Sequence, residues 1–90
     1  MNESEPPGLD PRRRRLLYRA THRGTHEADL LVGGFVARHV AGMSEAELAA
    51  TEAVLEYPDV DLSDWLTGRR PVPVEADSPI LRHMCASAGA

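Results

Sequence analysis

Residues 22–27, HRGTHE, bring together side chains whose types and spacing could do chemistry. His22 and His26 stand four positions apart, which on one continuous helix would place both imidazoles on the same face, as half of a metal site. Gly24 lies between them, however, and a glycine there is typical of a helix end. The HExxH pattern does not occur, and no further ligand is signalled. We therefore expect no metal and interpret both histidines as solvated residues at helix ends.

Local structure can account for most of this stretch. Gly24 can supply a left-handed turn that ends one helix, while Thr25 caps the next helix and Glu27 complements its dipole. The same geometry places Arg23 and Glu27 at an exposed corner beside a residue without a side chain, where another backbone can approach closely. An arginine and a carboxylate in that position are the ingredients of a polar docking site. The residues alone leave both interpretations open, and the two are compatible.

Other patterns speak against an enzyme. Cys85 is the only cysteine, lies on an apolar stripe and has no base near it in sequence, so we interpret it as a small buried hydrophobe. A lone cysteine also excludes an internal disulfide and suits a reducing cytoplasm. The serines include two that are explained as helix caps, and no glycine-rich phosphate loop occurs. We expect no catalytic residue and no cofactor.

Charge and hydropathy limit the partners. The net charge is −4, yet four consecutive arginines stand at residues 12–15. That block could contact phosphates, but it lacks interleaved aromatic residues and no basic recognition helix follows, so we expect no nucleic-acid partner. The acidic, proline-rich start has no apolar core of a signal peptide. The longest apolar run, residues 30–37, is too short for a bilayer span. We expect a cytoplasmic protein without membrane insertion.

Helix signals place the HRGTHE corner between two helices. Asp10 and Pro11 open the first helix, as N-cap and first-turn proline, and it runs to about His22. Thr25 caps the second, which runs from about residue 26 to residue 40. The adjacent glycines at 33 and 34 weaken this second helix, and close packing against a neighbouring helix would explain them.

Three more helices follow. Ser44 and Glu47 form a capping box at the start of the third helix, and Pro58 ends it. Asp59 is predicted to cap a fourth helix over residues 60–67, which Gly68 ends. An extended connector follows over residues 69–77. Ser78 and Pro79 then begin the last helix. No stretch alternates as a strand does. The sequence thus predicts an all-α, compact bundle of five short helices, with a disordered tail at 1–10, one domain at 11–87 and a frayed end at 88–90.

Two motifs then carry a resemblance. Residues 23–27 match the pattern RGxxE, and Asp61-Leu62 with Trp65-Leu66, followed by Gly68 and a proline, match DLxxWL. With the basic helix before them, these motifs resemble the small succinate dehydrogenase assembly factors, the bacterial flavinator family. Some relatives have also been labelled antitoxin-like. The resemblance covers about residues 12–85.

The resemblance implies a five-helix bundle that is not itself an enzyme. It implies binding to the flavoprotein subunit of succinate dehydrogenase, and also of fumarate reductase, and promotion of covalent FAD attachment to that subunit. Carried over to this chain, the partner-binding residues are Arg23, Gly24 and Glu27. The alternative is a small helical interaction module, antitoxin-like or regulatory, without a flavin role. The function of the arginine block, as a docking or a solubilising feature, stays open.

Overall fold

The protein is described here by a computed structural model that covers residues 8–89. Most of the predicted disordered tail and the last residue of the predicted frayed end lie outside the described residues. The described part contains helices and turns and no strand. The helices are α1 (Pro11–Thr21), α2 (His26–Ala28, a π-helical turn Asp29–Gly33, then Gly34–His39), α3 (Glu45–Val54), α4 (Asp59–Thr67) and α5 (Pro79–Ala88). The prediction of an all-α bundle of five helices is confirmed.

The predicted caps account for most helix starts. Side-chain oxygens of Asp10, Thr25 and Ser78 each accept a hydrogen bond from a backbone N–H in the first turn of α1, α2 and α5. At α3 the capping box is complete, because Ser44 and Glu47 each accept from the other's backbone N–H. These bonds satisfy donors that a helix start leaves unpaired. These four helices therefore begin where the local sequence predicts.

The predicted cap of α4 is wrong. The helix begins at Asp59 itself, with Pro58 in the N-cap position and no side-chain cap. The Asp59 carboxylate instead accepts a hydrogen bond from Arg23 at 2.8 Å. A carboxylate in the first turn of a helix interacts favourably with the helix dipole even when it does not cap the helix. Asp59 therefore still stabilises the start of α4 while it pairs with Arg23. The predicted connector over 69–77 also differs, since it contains a short 3₁₀ turn at Val74–Ala76.

The core is aliphatic around one phenylalanine, as the scarcity of aromatic residues requires. Phe35 is the largest fully buried side chain. The ring of Trp65 meets the ring of Tyr57 edge to face, with centroids 5.1 Å apart, which joins α4 to the turn before it. The other buried hydrophobic residues of the core include Leu16, Leu17, Val32, Val36, Leu48, Leu62, Leu81 and Met84. None of the described helices has both the length and the apolar character that a membrane span needs.

Close packing explains one of the two adjacent glycines. A Cβ on Gly33 would lie 2.9 Å from the carbonyl oxygen of Ala20 and 2.9 Å from Cγ2 of Thr21. A side chain there would force α1 and α2 apart. A Cβ on Gly34 would meet only the end of Arg38, at 3.5 Å. The packing prediction is thus confirmed for Gly33 and wrong for Gly34.

The first two arginines of the basic block hold α1 to other parts of the bundle. One edge of the Arg12 guanidinium donates to Glu52 of α3, from Nε at 3.0 Å and from Nη2 at 2.8 Å, and Nη1 donates to Glu45 at 2.6 Å. Arg13 donates to the carbonyl oxygens of Val40, at 3.0 Å, and Met43. Bidentate arginine–carboxylate pairs fix geometry as well as charge. Half of the block therefore has a structural function within the bundle.

Candidate functional site

The candidate site is the corner between α1 and α2. Helix α1 ends at Thr21, with His22 at its C-cap, and Thr25 caps α2. Gly24 has a φ angle of 111°, a conformation that strains any residue with a Cβ. An added Cβ would meet only Oδ2 of Asp59, at 4.0 Å. The backbone conformation therefore favours glycine at this position, and the space over it is open.

Arg23 points into the molecule rather than out of the corner. Only 11% of its side chain is exposed, which differs from the expectation of an exposed arginine. Its guanidinium donates to Oδ1 of Asp59 at 2.8 Å, and to the carbonyl oxygens of Leu55 at 2.7 Å and Tyr57 at 2.8 Å. Both carbonyls lie just after α3, where helix C-terminal carbonyls lack partners and attract cations. Arg23 thus ties the corner to the α3–α4 turn.

The backbone of the corner is held by α2. The N–H of Arg23 donates to Oδ1 of Asp29 at 2.6 Å. Asp29 opens the π-helical turn Asp29–Gly33, and π turns within helices are frequent at functional sites. The side chain and the backbone of one residue, Arg23, are therefore held by α4 and α2 respectively, which leaves the corner little freedom to move.

Glu27 is the exposed charge of the corner. Its two carboxylate oxygens accept from Nη1 and Nη2 of Arg69, at 3.2 and 3.1 Å. The two side chains are 43% and 56% exposed. The hydrogen bonds from Arg69 lower the pKa of the Glu27 carboxyl, so it is charged at neutral pH. Sequence reasoning missed Arg69, and its position directly after the helix-ending Gly68 was the only available signal.

Two open clefts lie on either side of this corner and share Asp59. The Tyr18 cleft, of about 430 Å³, is lined by Tyr18, Arg19, His22, Arg23, Leu55, Glu56, Tyr57, Pro58 and Asp59. The Val60 cleft, of about 260 Å³, is lined by Thr25, Glu27, Asp59, Val60, Ser63, Asp64 and Arg69. Tyr18 and Val60 are exposed large hydrophobic residues. The corner therefore offers apolar surface on both sides of its charged groups, as protein-binding surfaces commonly do.

Two of the histidines lie at helix ends, His22 at the C-cap of α1 and His26 as the first residue of α2. The His22 ring stacks on Tyr18 with centroids 3.9 Å apart, and its Nδ1 lies 2.9 Å from the Tyr18 carbonyl oxygen. His39 and His83 meet Phe35 at the far side of α2, with centroids 4.4 and 4.9 Å from that ring. Sequence reasoning did not bring this pair together. Within residues 8–89, the His, Cys, Asp and Glu side chains form no group of three that could hold a metal ion.

Cys85 has the surroundings of a packing residue. It is half-buried against the core, and its thiol lies 3.7 Å from the carbonyl oxygen of Trp65. Burial raises the pKa of the Cys85 thiol, which disfavours the nucleophilic thiolate. Cys85 therefore packs against the bundle, and its surroundings do not activate it as a nucleophile.

Comparison with known proteins identifies the family. Residues 14–88 match the family model described as flavinator of succinate dehydrogenase. The chain belongs to this family. An FAD assembly factor, SdhE, of Acetobacter pasteurianus is 53% identical over 76 residues, which cover 84% of this chain. The resemblance seen in the two sequence motifs is confirmed at the level of the flavinator family, and so is the prediction that the chain is not itself an enzyme.

More distant flavinator relatives come from eukaryotes. The mitochondrial succinate dehydrogenase assembly factor 2 of Dictyostelium discoideum is 31% identical over 80 residues, 86% of this chain. Its namesake in Candida glabrata is 40% identical over 67 residues, 74% of this chain. The chain spans 70% of the length of the Acetobacter protein, but only 57% and 41% of these two mitochondrial proteins. The two mitochondrial proteins thus match most of this chain, and this chain matches only part of each of them.

Proposed function

We propose that this protein is an assembly factor that binds the flavoprotein subunit of succinate dehydrogenase and promotes covalent attachment of FAD to it. The support is membership in the flavinator family over residues 14–88, together with the names of its relatives. The proposal extends to the fumarate reductase flavoprotein as a second client, as the family resemblance implies. It also includes a cytoplasmic location for the protein.

The proposed docking site is the corner made by Arg23, Gly24 and Glu27. One observation carries it: Gly24, whose φ angle is 111°, has open space over it, and Glu27, three residues further along the chain, keeps a charged side chain that is 43% exposed. Gly24 lets the partner's backbone approach, and Glu27 offers charge-assisted hydrogen bonds. Arg23 contributes by fixing the corner, since most of its side chain is buried.

The proposed mechanism is a shift of the partner's conformational equilibrium. A binding protein can raise the population of an attachment-competent flavoprotein only by the difference between its affinities for the competent and incompetent states. Covalent attachment itself belongs to the flavoprotein and its FAD. A rigid corner suits this task, because a surface that is already ordered loses less conformational entropy when it binds.

The test is covalent flavinylation of the same organism's succinate dehydrogenase flavoprotein, with and without this protein, read as flavin fluorescence of the denatured subunit in a gel. We expect a clear rise with the protein present. A parallel reaction with the fumarate reductase flavoprotein tests the second client. An unchanged signal together with no measurable complex would overturn the proposal and leave an interaction module with another partner.

A further inference from the structure

Asp59 lies in the corner although it is 36 residues from Arg23 in the sequence. It is the first residue of α4, and 24% of its side chain is exposed. Oδ1 accepts from Nε of Arg23 at 2.8 Å, and Oδ2 lies 4.0 Å from where a Cβ on Gly24 would be. Asp59 also lines both clefts beside the corner. It therefore lies directly beneath the proposed docking surface.

Among the described residues, Asp59 is the one carboxylate that pairs with the Arg23 guanidinium. The other acceptors of the guanidinium are two neutral carbonyl oxygens, those of Leu55 and Tyr57. A largely buried guanidinium that loses its carboxylate partner is left with an uncompensated charge. It would then turn toward water, and the corner would lose its attachment to the α3–α4 turn.

We propose that Asp59 is a positioning residue of the docking site, which acts through Arg23 to hold Gly24 and Glu27 in the geometry that the flavoprotein binds. This inference rests on the proposed function. It adds to the RGxxE stretch the first residue of α4, so that the proposed site consists of two segments joined by one ion pair. The side chain of Asp59 serves the partner by ordering Arg23 rather than by contact.

The experiment is a double-mutant cycle on the affinity of the full chain for the flavoprotein, with Arg23→Ala, Asp59→Ala and the double variant. We expect each single change to weaken binding by about tenfold. The double variant should bind no more weakly than whichever single variant has the lower affinity. The coupling between the two residues is then about tenfold, which lies in the middle of the range for residues in contact. Losses that multiply would show that Asp59 contacts the partner independently, which would overturn the inference.

Asp59→Asn guards against a simple loss of folding, because it keeps a hydrogen-bond acceptor and removes only the charge. Its matched control is Asp61→Asn in the same first turn of α4, where the carboxylate pairs at 2.5 Å with the exposed Arg70. Both changes remove one charge from the same helix start. We expect weakened binding from Asp59→Asn and unchanged binding from Asp61→Asn. Equal losses would assign the effect to the helix start and overturn the inference.

Amide hydrogen exchange of the chain alone separates failure of this inference from failure of the proposed function. Asp59→Asn should speed exchange at the Arg23 amide, which donates to Asp29, while amides in the middle of α3 keep wild-type rates. An unchanged rate at Arg23 would overturn the positioning role. A wild-type chain that does not bind the flavoprotein would overturn the proposed function and the docking role of Asp59, whatever the exchange rates show.

Discussion

Gly33 of α2 lies against Ala20 of α1 so closely that a Cβ on the glycine would come within 2.9 Å of the alanine's carbonyl oxygen. The neighbouring Thr21 is equally close, through its Cα at 3.0 Å and its Cγ2 at 2.9 Å. Two of these three atoms belong to the backbone and cannot move away without moving α1. This contact fixes the distance between α1 and α2 at the end of α1, next to the corner that contains the RGxxE residues.

Gly33→Ala should therefore destabilise the protein by about 1–3 kcal/mol, the usual cost of inserting a methyl group into a packed interior. The measurement is the free energy of unfolding in urea. Gly34→Ala is the matched control, because its Cβ meets only the flexible end of Arg38 at 3.5 Å. Alanine there should stabilise the helix by about 0.5–1 kcal/mol. Equal effects of the two changes would show that α1 and α2 can separate freely.

Whether a contact between two residues can be predicted from the sequence depends on how far apart they are along the chain. Ser44 and Glu47 stand three residues apart, and their capping box is a local pattern that can be read directly. Arg69 lies 42 residues from Glu27, and only the packing of α4 beside α2 brings the two together. The same holds for Asp59, which a local pattern presents as a helix cap. A carboxylate before a helix has the same local sequence whether it caps the helix or pairs with a distant arginine.

Gly24→Arg should abolish assembly activity and leave the fold largely intact. A side chain at a φ angle of 111° costs about 1–3 kcal/mol, but the atom nearest to its Cβ is 4.0 Å away, so the Cβ itself displaces nothing in the described bundle. The long side chain would instead fill the space that the partner's backbone needs. The measurements are flavinylation and a helical circular dichroism spectrum. Unimpaired flavinylation with a wild-type spectrum would contradict the prediction.

Backbone strain alone needs its own control. Gly8→Ala places a Cβ at a φ angle of 82°, also in open space, but before α1 rather than at the corner. We expect it to leave flavinylation unchanged, whereas Gly24→Ala reduces it. If both alanine variants lose activity in proportion to their loss of stability, strain rather than docking explains the effect of Gly24.

Glu27→Gln should weaken the flavoprotein complex with little change in the midpoint of thermal unfolding. The Glu27–Arg69 pair is largely exposed, and exposed ion pairs contribute little to folding. At a docking surface, the attraction between the same carboxylate and a group of the partner becomes stronger once the partner excludes water from it. Calorimetric titration measures the affinity. Asp77→Asn is the matched control, because it removes one carboxylate from another exposed bidentate pair, with Arg82 of α5. Equal affinity losses for the two variants would remove Glu27 from the site.

The ion pair between Arg12 and Glu52 predicts how stability depends on pH. Hydrogen bonds from Arg12 lower the pKa of the Glu52 carboxyl below its ordinary value of 4.5. The unfolded chain therefore binds a proton at Glu52 at a higher pH than the folded chain does. The contribution of the pair is fully present above pH 4.5 and is lost as the pH falls through the lower pKa of the folded state.

Glu52→Gln should accordingly make the loss of stability below pH 4.5 less steep, since one carboxylate with a lowered pKa has been removed. The measurement is the free energy of urea unfolding at a series of pH values from neutral to acidic. The Arg12→Ala background provides the control, because without Arg12 the Glu52 carboxyl has lost the principal cause of its shift. There, Glu52→Gln should change the slope much less than in the wild-type background. Equal slope changes in the two backgrounds would mean that Arg12 is not the cause of the lowered pKa.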